Sequence, residues 1–206
     1  MKRVYLLLIF SIIYISSYSQ DLNSFVDLGL SVKWASCNIG ASKPEEFGNY
    51  YAWGETSTKK DYSWKTYKFG TYEKGMSLYN SKDNYTSLMP DHDVATLIFG
   101  KNYRIPTREE YQELLDKCKW QLITINGIKG YKVLGPNGNS IFLPIAGYYI
   151  NTSLGYSKDK YGEYWTSSRV KKEPHCAYHL FISESTRELS AFNRCHGRTI
   201  RPVCDK

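Results

Sequence analysis

The chain has 206 residues, which is enough for one domain of ordinary size and too few for two. Hydrophobic residues make up 42% of it and charged residues 23%, a balance that excludes a disordered, collagen-like or coiled-coil chain. The 19 Tyr and 5 Trp favour an aromatic-rich, mostly β domain.

Residues 1–19 have the composition of a secretory signal peptide. Lys2 and Arg3 form a basic start, an apolar run extends to Ile15, and Ser17 and Ser19 are small residues at the two positions that signal peptidase reads. The apolar run of about a dozen residues is shorter than the roughly 20 that cross a bilayer. We therefore predict cleavage after Ser19 and export, with no lipid anchor and no membrane insertion afterwards.

The mature chain, residues 20–206, is predicted to be one domain that is secreted, periplasmic or attached to the cell surface. Loss of two basic residues with the signal peptide lowers the formal charge of +7 by two, and the other basic residues are scattered. Nucleic acid is therefore not expected as a partner. A polar stretch over residues 56–89, rich in Lys and Tyr and weakly periodic, is interpreted as an inserted loop.

All five cysteines lie in the mature chain, in a compartment where disulfides persist. A hairpin that turns at residues 184–187 would place Cys176 opposite Cys195, within reach of a disulfide. Cys37 and Cys204 lie near the two mature ends, where a bridge would join the termini. Both pairings are hypotheses, and they leave Cys118 as the unpaired thiol.

Two segments near the middle of the chain are predicted to be helices. The first starts at Asp91 and ends at Gly100, a typical C-cap residue. The second begins at Thr107, which forms a capping box with Glu110, and ends at Cys118. Apolar positions recur at helical spacing in the second segment, so one of its faces is expected to be buried.

Short strands are predicted on both sides of the two helices. They cover residues 25–30, 32–37, 49–53, 130–134, 140–144, 164–166, 177–182, 188–192 and 199–203. The Asn137-Gly138 pair between two of them is a strong hairpin signal. This order of elements indicates an α+β domain of short antiparallel strands with two mid-chain helices.

Six blocks of sequence, in order along the mature chain, resemble a known family. They are VDLGLSVKWA with CNIGA (26–35 and 37–41), YYAWGET (50–56), RIPT (104–107), NSIFLP (139–144), YWTSS (164–168) and IRPV (200–203). Together they resemble the Fibrobacter succinogenes major paralogous domain, which is abundant in exported proteins of the Bacteroidetes. The resemblance covers nearly the whole mature chain. It implies a C-type-lectin-like fold with the N- and C-terminal strands paired in one sheet, and it implies no substrate.

The sequence predicts no metal, no cofactor and no catalytic residue. Acidic residues in the segment 91–93 fit the start of a helix, where aspartates act as caps. Cys176 and His179, with Cys195 and His196, are zinc-ligand types, but positions 176 and 179 point to opposite faces of a strand. The Glu-Pro-Asn and Trp-Asn-Asp triplets by which C-type lectins bind sugar through calcium are absent.

No nucleophile elbow, zinc-protease motif or phosphate-binding glycine loop occurs in the sequence. We therefore expect a protein that is not an enzyme. Two alternatives stay open. One is an enzyme resembling the formylglycine-generating oxidases, which share the lectin-like fold and use a cysteine pair. The other is a variable protein of a diversity-generating retroelement, with residues 164–201 as its ligand-binding face.

The favoured interpretation is a non-catalytic binding or adhesion module for a glycan or a surface protein. Tyrosine and tryptophan offer large, rigid contact surfaces, and amide and basic side chains add hydrogen bonds. The candidate ligand contacts are Tyr148, Tyr149, Asn151, Tyr156 and Tyr161 in one aromatic segment, with Asn193, Arg194 and His196 in a polar run before the last strand.

Overall fold

The chain alternates short strands with two helices. The structure, a computed structural model, describes residues 24–154 and 160–206. In chain order the elements are β1 Phe25–Asp27, β2 Lys33–Ala35, β3 Gly70–Thr71, β4 Gly75–Met76, α1 Val94–Phe99, β5 Tyr103–Arg104, α2 Arg108–Lys117, β6 Lys119–Ile125, β7 Ile128–Leu134, β8 Ser140–Pro144, β9 Tyr161–Arg169, β10 Cys176–Ser183, β11 Arg187–Asn193 and β12 Val203–Cys204. A single 3₁₀ turn, Pro90–His92, precedes α1. The predicted signal peptide lies outside the described residues.

The first and last strands meet in one sheet, as expected. Its order is β1-β2-β12-β5, and Val203 lies opposite both Trp34 and Arg104. Two further antiparallel sheets have the orders β11-β10-β9 and β6-β7-β8. The described residues thus form one mixed α+β domain with mostly antiparallel pairing, which confirms the predicted fold class at this level. No helix in these residues is long and apolar enough to cross a membrane.

Both predicted helices form, and their caps explain where they start. The Thr107 side chain accepts a hydrogen bond from the Glu110 N–H, and the Glu110 carboxylate accepts one from the Thr107 N–H at 2.8 Å. Helix α1 is capped by Asp93, two residues later than the predicted Asp91. The Asp93 carboxylate also accepts from the Ile105 N–H at 2.8 Å, which ties α1 to the start of the next segment.

The strand β6 and its hairpin with β7 are absent from the sequence prediction. Its apolar residues fall on both faces, with Trp120 and Leu122 at even positions and Ile123 and Ile125 at odd ones, which blurs the alternation that marks a half-buried strand. The turn is Asn126–Gly127, and both residues have positive φ, 49° and 81°. A two-residue Asn-Gly turn of this kind matches the twist of the flanking strands.

Residues 56–89 are more ordered than the loop interpretation predicts. The side chains of Tyr62, Tyr67, Phe69 and Tyr79 are buried, and β3 pairs with β4. The Tyr67 hydroxyl donates to the Trp53 carbonyl at 2.7 Å. These buried rings attach residues 56–89 to the rest of the domain, because each ring removes a large apolar area from water. The hydrogen bond of the Tyr67 hydroxyl satisfies the polar end of its ring.

The predicted Cys176–Cys195 pairing is wrong in register. The strand pairing places Asn193 opposite Cys176, because the β10–β11 turn is centred one residue earlier than predicted. A residue two positions along the partner strand is about 7–8 Å away, beyond the usual reach of a disulfide. Cys195 packs instead beside Tyr62 and Tyr67.

The predicted Cys37–Cys204 bridge does not form either. Cys204 lies opposite Lys33 in the β2–β12 pair. Cys37 follows Lys33 by four residues, which separates it from Cys204 by roughly 13 Å along the chain at strand spacing. All five cysteines belong to the described residues, and the structure contains no disulfide among them.

Strand β9 separates two hydrophobic cores. Tyr164 belongs to the core that α2 covers, where the rings of Trp34 and Tyr111 lie 5.0 Å apart. Trp165 points to the opposite face and packs with Trp53. Successive residues of a strand point to opposite faces, so this dipeptide connects both cores. The candidate site lies on the Trp165 side.

Candidate functional site

A cleft of about 400 Å³ opens between the segment 56–89 and the loop that follows β11. We call it the aromatic cleft and define it by Trp64, Lys65, Tyr72, Asn151, Asn193 and His196. It brings together three of the residues predicted from the sequence: Asn151 from one segment of the chain, and Asn193 and His196 from a second segment about 40 residues later. Antiparallel bridges between Tyr62 and Asn151, and between Tyr149 and Gly197, hold these segments side by side.

Tyr148 and Tyr149 support the aromatic cleft from behind. The Tyr148 ring stacks on the His196 ring at 6.3 Å. The Tyr149 ring packs between those of Tyr50 and Tyr62, at 4.9 and 5.3 Å. These two tyrosines therefore position the wall of the cleft, although the sequence analysis proposed them as ligand contacts.

Two predicted residues lie elsewhere. Tyr161 is exposed at the start of β9 and packs against Phe181, with ring centres 5.5 Å apart, away from the residues that line the aromatic cleft. Tyr156 lies outside the described residues.

Arg194 is interior, although the sequence analysis expected a surface contact. Its side chain has no exposed area, and its guanidinium donates to the carbonyls of Leu78 and Tyr79 at 3.3 and 3.5 Å. The guanidinium also lies over the Trp53 ring at 5.1 Å. Burial lowers the pKa of Arg194 because it disfavours the charged form. We assign Arg194 to the scaffold and exclude it from the site.

Sequence reasoning missed the two aromatic residues that give the cleft its character. Trp64 is half-buried against Tyr67, with ring centres 5.6 Å apart, and Tyr72 is 63% exposed in the connection between β3 and β4. Both belong to the segment interpreted as a loop. The sequence signal that could have marked them is the presence of a tryptophan and several tyrosines within a polar stretch.

His196 is the most unusual group in the wall of the cleft. It is only 6% exposed, and its Nδ1 has no hydrogen-bond partner among the residues that the structure describes. Burial lowers its pKa to about 4, and the nearby Arg198 charge acts in the same direction. The imidazole is therefore neutral near pH 7, and its Nδ1 is a buried polar atom without a partner among the described residues.

The lining of the aromatic cleft carries charges of both signs. Lys65 and Glu73, both exposed, contribute one charge of each sign to its lining. A cleft without a dominant charge does not select a strongly anionic or cationic ligand. Its polar character comes from amides and an uncharged imidazole instead.

Next to the His196 loop lies a buried group that we call the buried ion cluster: the oppositely charged Glu163 and Arg198, with the neutral imidazole of His179 beside them. The Arg198 Nε donates to the Glu163 carboxylate, and His179 Nε2 lies 3.5 Å from the same carboxylate. The Arg198 guanidinium lies over the Trp165 ring at 4.1 Å and over the Tyr148 ring at 5.6 Å. This cluster fixes the loop that carries His196.

The chemistry of the cysteines fits a structural role better than a nucleophilic one. Burial raises the pKa of Cys176 to about 11 and that of Cys195 to about 12. Thiols in such surroundings stay protonated near pH 7, whereas the thiolate is the reactive form. The two sulfur-bearing residues also lie out of register with each other.

The sets considered for metals in the sequence are dispersed by the fold. His92 Nδ1 forms a hydrogen bond of 2.7 Å with the Tyr79 hydroxyl, while Asp93 caps α1. His179 faces Glu163 and not Cys176. Cys176 lies instead near Glu173 and His175.

Comparisons of the chain with protein-family models, with curated proteins and with solved structures give no match. The case for a function therefore depends on the geometry of the aromatic cleft.

Proposed function

We propose that this protein is an exported, non-catalytic binding module whose aromatic cleft takes a neutral carbohydrate. Its volume of about 400 Å³ is in the range of small-ligand sites. Its lining combines aromatic rings, amides and a neutral imidazole, the mixture that binds sugars through stacking and hydrogen bonds. We further propose membership of the Fibrobacter succinogenes major paralogous domain family and a C-type-lectin-like fold, supported by the six sequence blocks and the paired terminal strands.

The observation that carries this proposal is that two aromatic rings, two amides and a histidine line one cleft: Trp64, Tyr72, Asn151, Asn193 and His196. The buried Nδ1 of His196 has no partner among the described residues, which costs about 1–3 kcal/mol, and a ligand that opens this wall of the cleft would gain the missing hydrogen bond. Trp64 and Tyr72 offer ring faces on which the C–H face of a pyranose packs. The Asn151 and Asn193 amides both donate and accept, as vicinal hydroxyl groups require.

Export is proposed from the signal peptide, and it supplies the setting in which a glycan-binding module meets its ligand. Sequencing the N-terminus of protein recovered from the medium or envelope of an expressing bacterium tests cleavage after Ser19. A full-length chain that stays in the cytoplasm would contradict export.

A glycan array tests the carbohydrate proposal, with the purified protein applied in the presence and absence of a chelator. We expect binding of neutral glycans in both conditions. Tyr72→Ala and Asn193→Ala should each weaken that binding at least about tenfold, the effect of losing one good contact of about 1.4 kcal/mol. The matched control is Tyr85→Ala, an exposed tyrosine outside the cleft.

If the protein binds no glycan in either condition, the carbohydrate proposal is wrong. The aromatic cleft would then be assigned to the binding of a protein partner. Binding that Tyr85→Ala weakens as much as Tyr72→Ala would place the ligand elsewhere.

The two alternatives are less well supported. A cysteine-dependent oxidase needs an accessible thiolate, and the thiols of Cys176 and Cys195 are buried with raised pKa values. Alkylation under native conditions should leave glycan binding intact. A retroelement-variable face needs exposed variable positions, whereas Tyr164, Arg194 and Arg198 within residues 164–201 are fully or almost fully buried.

A further inference from the structure

Three side chains of the types that ligate metals lie together where the loop after β9 enters β10. The donor atoms of Glu173, His175 and Cys176, a carboxylate oxygen, an imidazole nitrogen and a sulfur, lie within 4.8 Å of one another. None of these three residues lines the aromatic cleft, although Tyr72, which lines the cleft, contacts His175. We propose that these three residues bind a zinc-type divalent cation.

A proline turn brings the three side chains together before any cation binds. The Cys176 N–H donates to the Glu173 carbonyl at 2.8 Å, which closes a four-residue turn with Pro174 at its second position. Proline fixes φ at that position, and the first and fourth residues of such a turn lie within about 7 Å. The Arg194 N–H donates to the His175 carbonyl at 3.0 Å and anchors the turn to the end of β11.

The distances between the three donor atoms require only a small movement of the side chains when a cation binds. Tetrahedral zinc, with bonds of about 2.0–2.3 Å, needs donor atoms about 3.5 Å apart. The outermost pair must therefore approach by little more than about 1 Å from its limit of 4.8 Å. Glu173 is exposed and can make most of this adjustment, whereas His175 is half-buried against Tyr72 and Cys176 is buried at the start of β10.

The chemistry of the donors selects the class of cation. A set of one sulfur, one nitrogen and one oxygen suits Zn²⁺ and its substitute Co²⁺, whereas Ca²⁺ and Mg²⁺ prefer oxygen ligands alone. As the metal–sulfur bond forms, the thiol proton leaves to solvent. Three protein ligands leave the fourth position for water.

The residues around the cluster orient the imidazole and include positive charges, among them the buried Arg194, which faces the Cys176 sulfur. The Tyr72 ring contacts the His175 ring edge to face, with centres 4.8 Å apart, and so restricts the orientation of the imidazole. Lys171 and Lys172 precede the cluster and are exposed, so water and salt screen their repulsion of a cation.

Titration of the purified, reduced protein with Co²⁺ tests this site, because a thiolate ligand gives cobalt a charge-transfer band in the near ultraviolet. We expect one Co²⁺ per chain and its displacement by Zn²⁺. Cys176→Ser should abolish the band, and Glu173→Gln and His175→Gln should each raise the cobalt dissociation constant at least about tenfold. Cys118→Ser is the matched control and should bind as the native protein does.

The absence of a thiolate band in the native protein, or its survival in Cys176→Ser, would overturn the proposal. Unchanged affinity in either Glu173→Gln or His175→Gln would overturn the three-ligand set. These two residues are not buried, so their variants are expected to fold even where Cys176→Ser does not. Circular dichroism of each variant checks this, and the result is independent of glycan binding.

Discussion

The aromatic cleft and the buried ion cluster lie on two sides of His196 and Tyr148, and they use similar residues for opposite purposes. In the cleft, Trp64 and Tyr72 stay accessible, and the Nδ1 of His196 has no partner among the described residues. In the cluster, Arg198 is enclosed by aromatic rings and bonded to Glu163. Aromatic and basic side chains therefore indicate a binding surface only where they stay open to solvent.

The difference predicts that the two regions respond separately to mutation. Changes in the buried ion cluster should alter the free energy of unfolding. Changes in the aromatic cleft should alter ligand affinity and leave unfolding nearly unchanged.

The largest expected effect is that of Arg198→Met. It leaves the Glu163 carboxylate buried without its main partner, which costs about 3–5 kcal/mol of unfolding free energy in comparable sites. Urea denaturation measures the loss. Lys117→Met, which removes an exposed i,i+4 pair with Glu113, is the control and should change the free energy of unfolding far less, because solvent screens the pair.

Adding Glu163→Leu to Arg198→Met should restore part of that stability, because the unpaired carboxylate is then absent. Equal losses for Arg198→Met and Lys117→Met would show that the cluster does not stabilise the fold.

The next effect is on the pH dependence of stability. Burial and the Arg198 charge lower the pKa of His196 to about 4, and the pKa of His179 is lowered well below its usual value for the same reasons. Between about pH 6.5 and pH 4 the unfolded chain therefore binds more protons than the folded one, so stability falls as the pH falls. His196 alone contributes at most about 3 kcal/mol across this range.

Urea denaturation at several pH values measures this slope. The carboxylates also titrate towards the acid end, so the comparison with His196→Gln isolates the histidine. We expect the variant to lose less stability than the native protein between about pH 6.5 and pH 4. Identical slopes would contradict the assignment of a buried, neutral His196.

The smallest expected change in stability is that of Tyr72→Ala. The side chain is 63% exposed, and its removal should alter the free energy of unfolding by no more than about 0.5 kcal/mol. The same variant should lose glycan affinity about tenfold or more. A large loss of stability would instead assign Tyr72 to the scaffold.

Local chemistry allowed several elements to be predicted from the sequence. The Thr107–Glu110 capping box marks the start of α2 correctly, because both partners lie within one turn of the chain. The Asn137-Gly138 turn correctly joins β7 and β8. Such signals depend on neighbouring residues alone and need no knowledge of the fold.

The strand register and the burial of individual side chains could not be predicted from the sequence. A turn centre displaced by one residue moves the partner of Cys176 from Cys195 to Asn193, and nothing local to the turn fixes that choice. The burial of Arg194 depends on Leu78 and Tyr79, more than a hundred residues earlier in the chain. The role of Trp64 likewise appears only when the segment 56–89 lies beside the loop after β11.

The tryptophan indole N–H groups provide a sensitive probe of where a ligand binds. Those of Trp53, Trp120 and Trp165 donate to backbone carbonyls, and Trp34 is fully buried. Trp64 lines the aromatic cleft. A ligand in that cleft should therefore perturb one of the five indole signals more than the others.

The most direct test is a nuclear magnetic resonance titration of the ¹⁵N-labelled protein with a neutral disaccharide selected by the glycan array. We predict that the Trp64 indole signal, assigned by its absence in Trp64→Phe, shifts on titration while the other four stay in place. A shift of the Trp120 signal with Trp64 unmoved would place the ligand outside the aromatic cleft and contradict the proposed site.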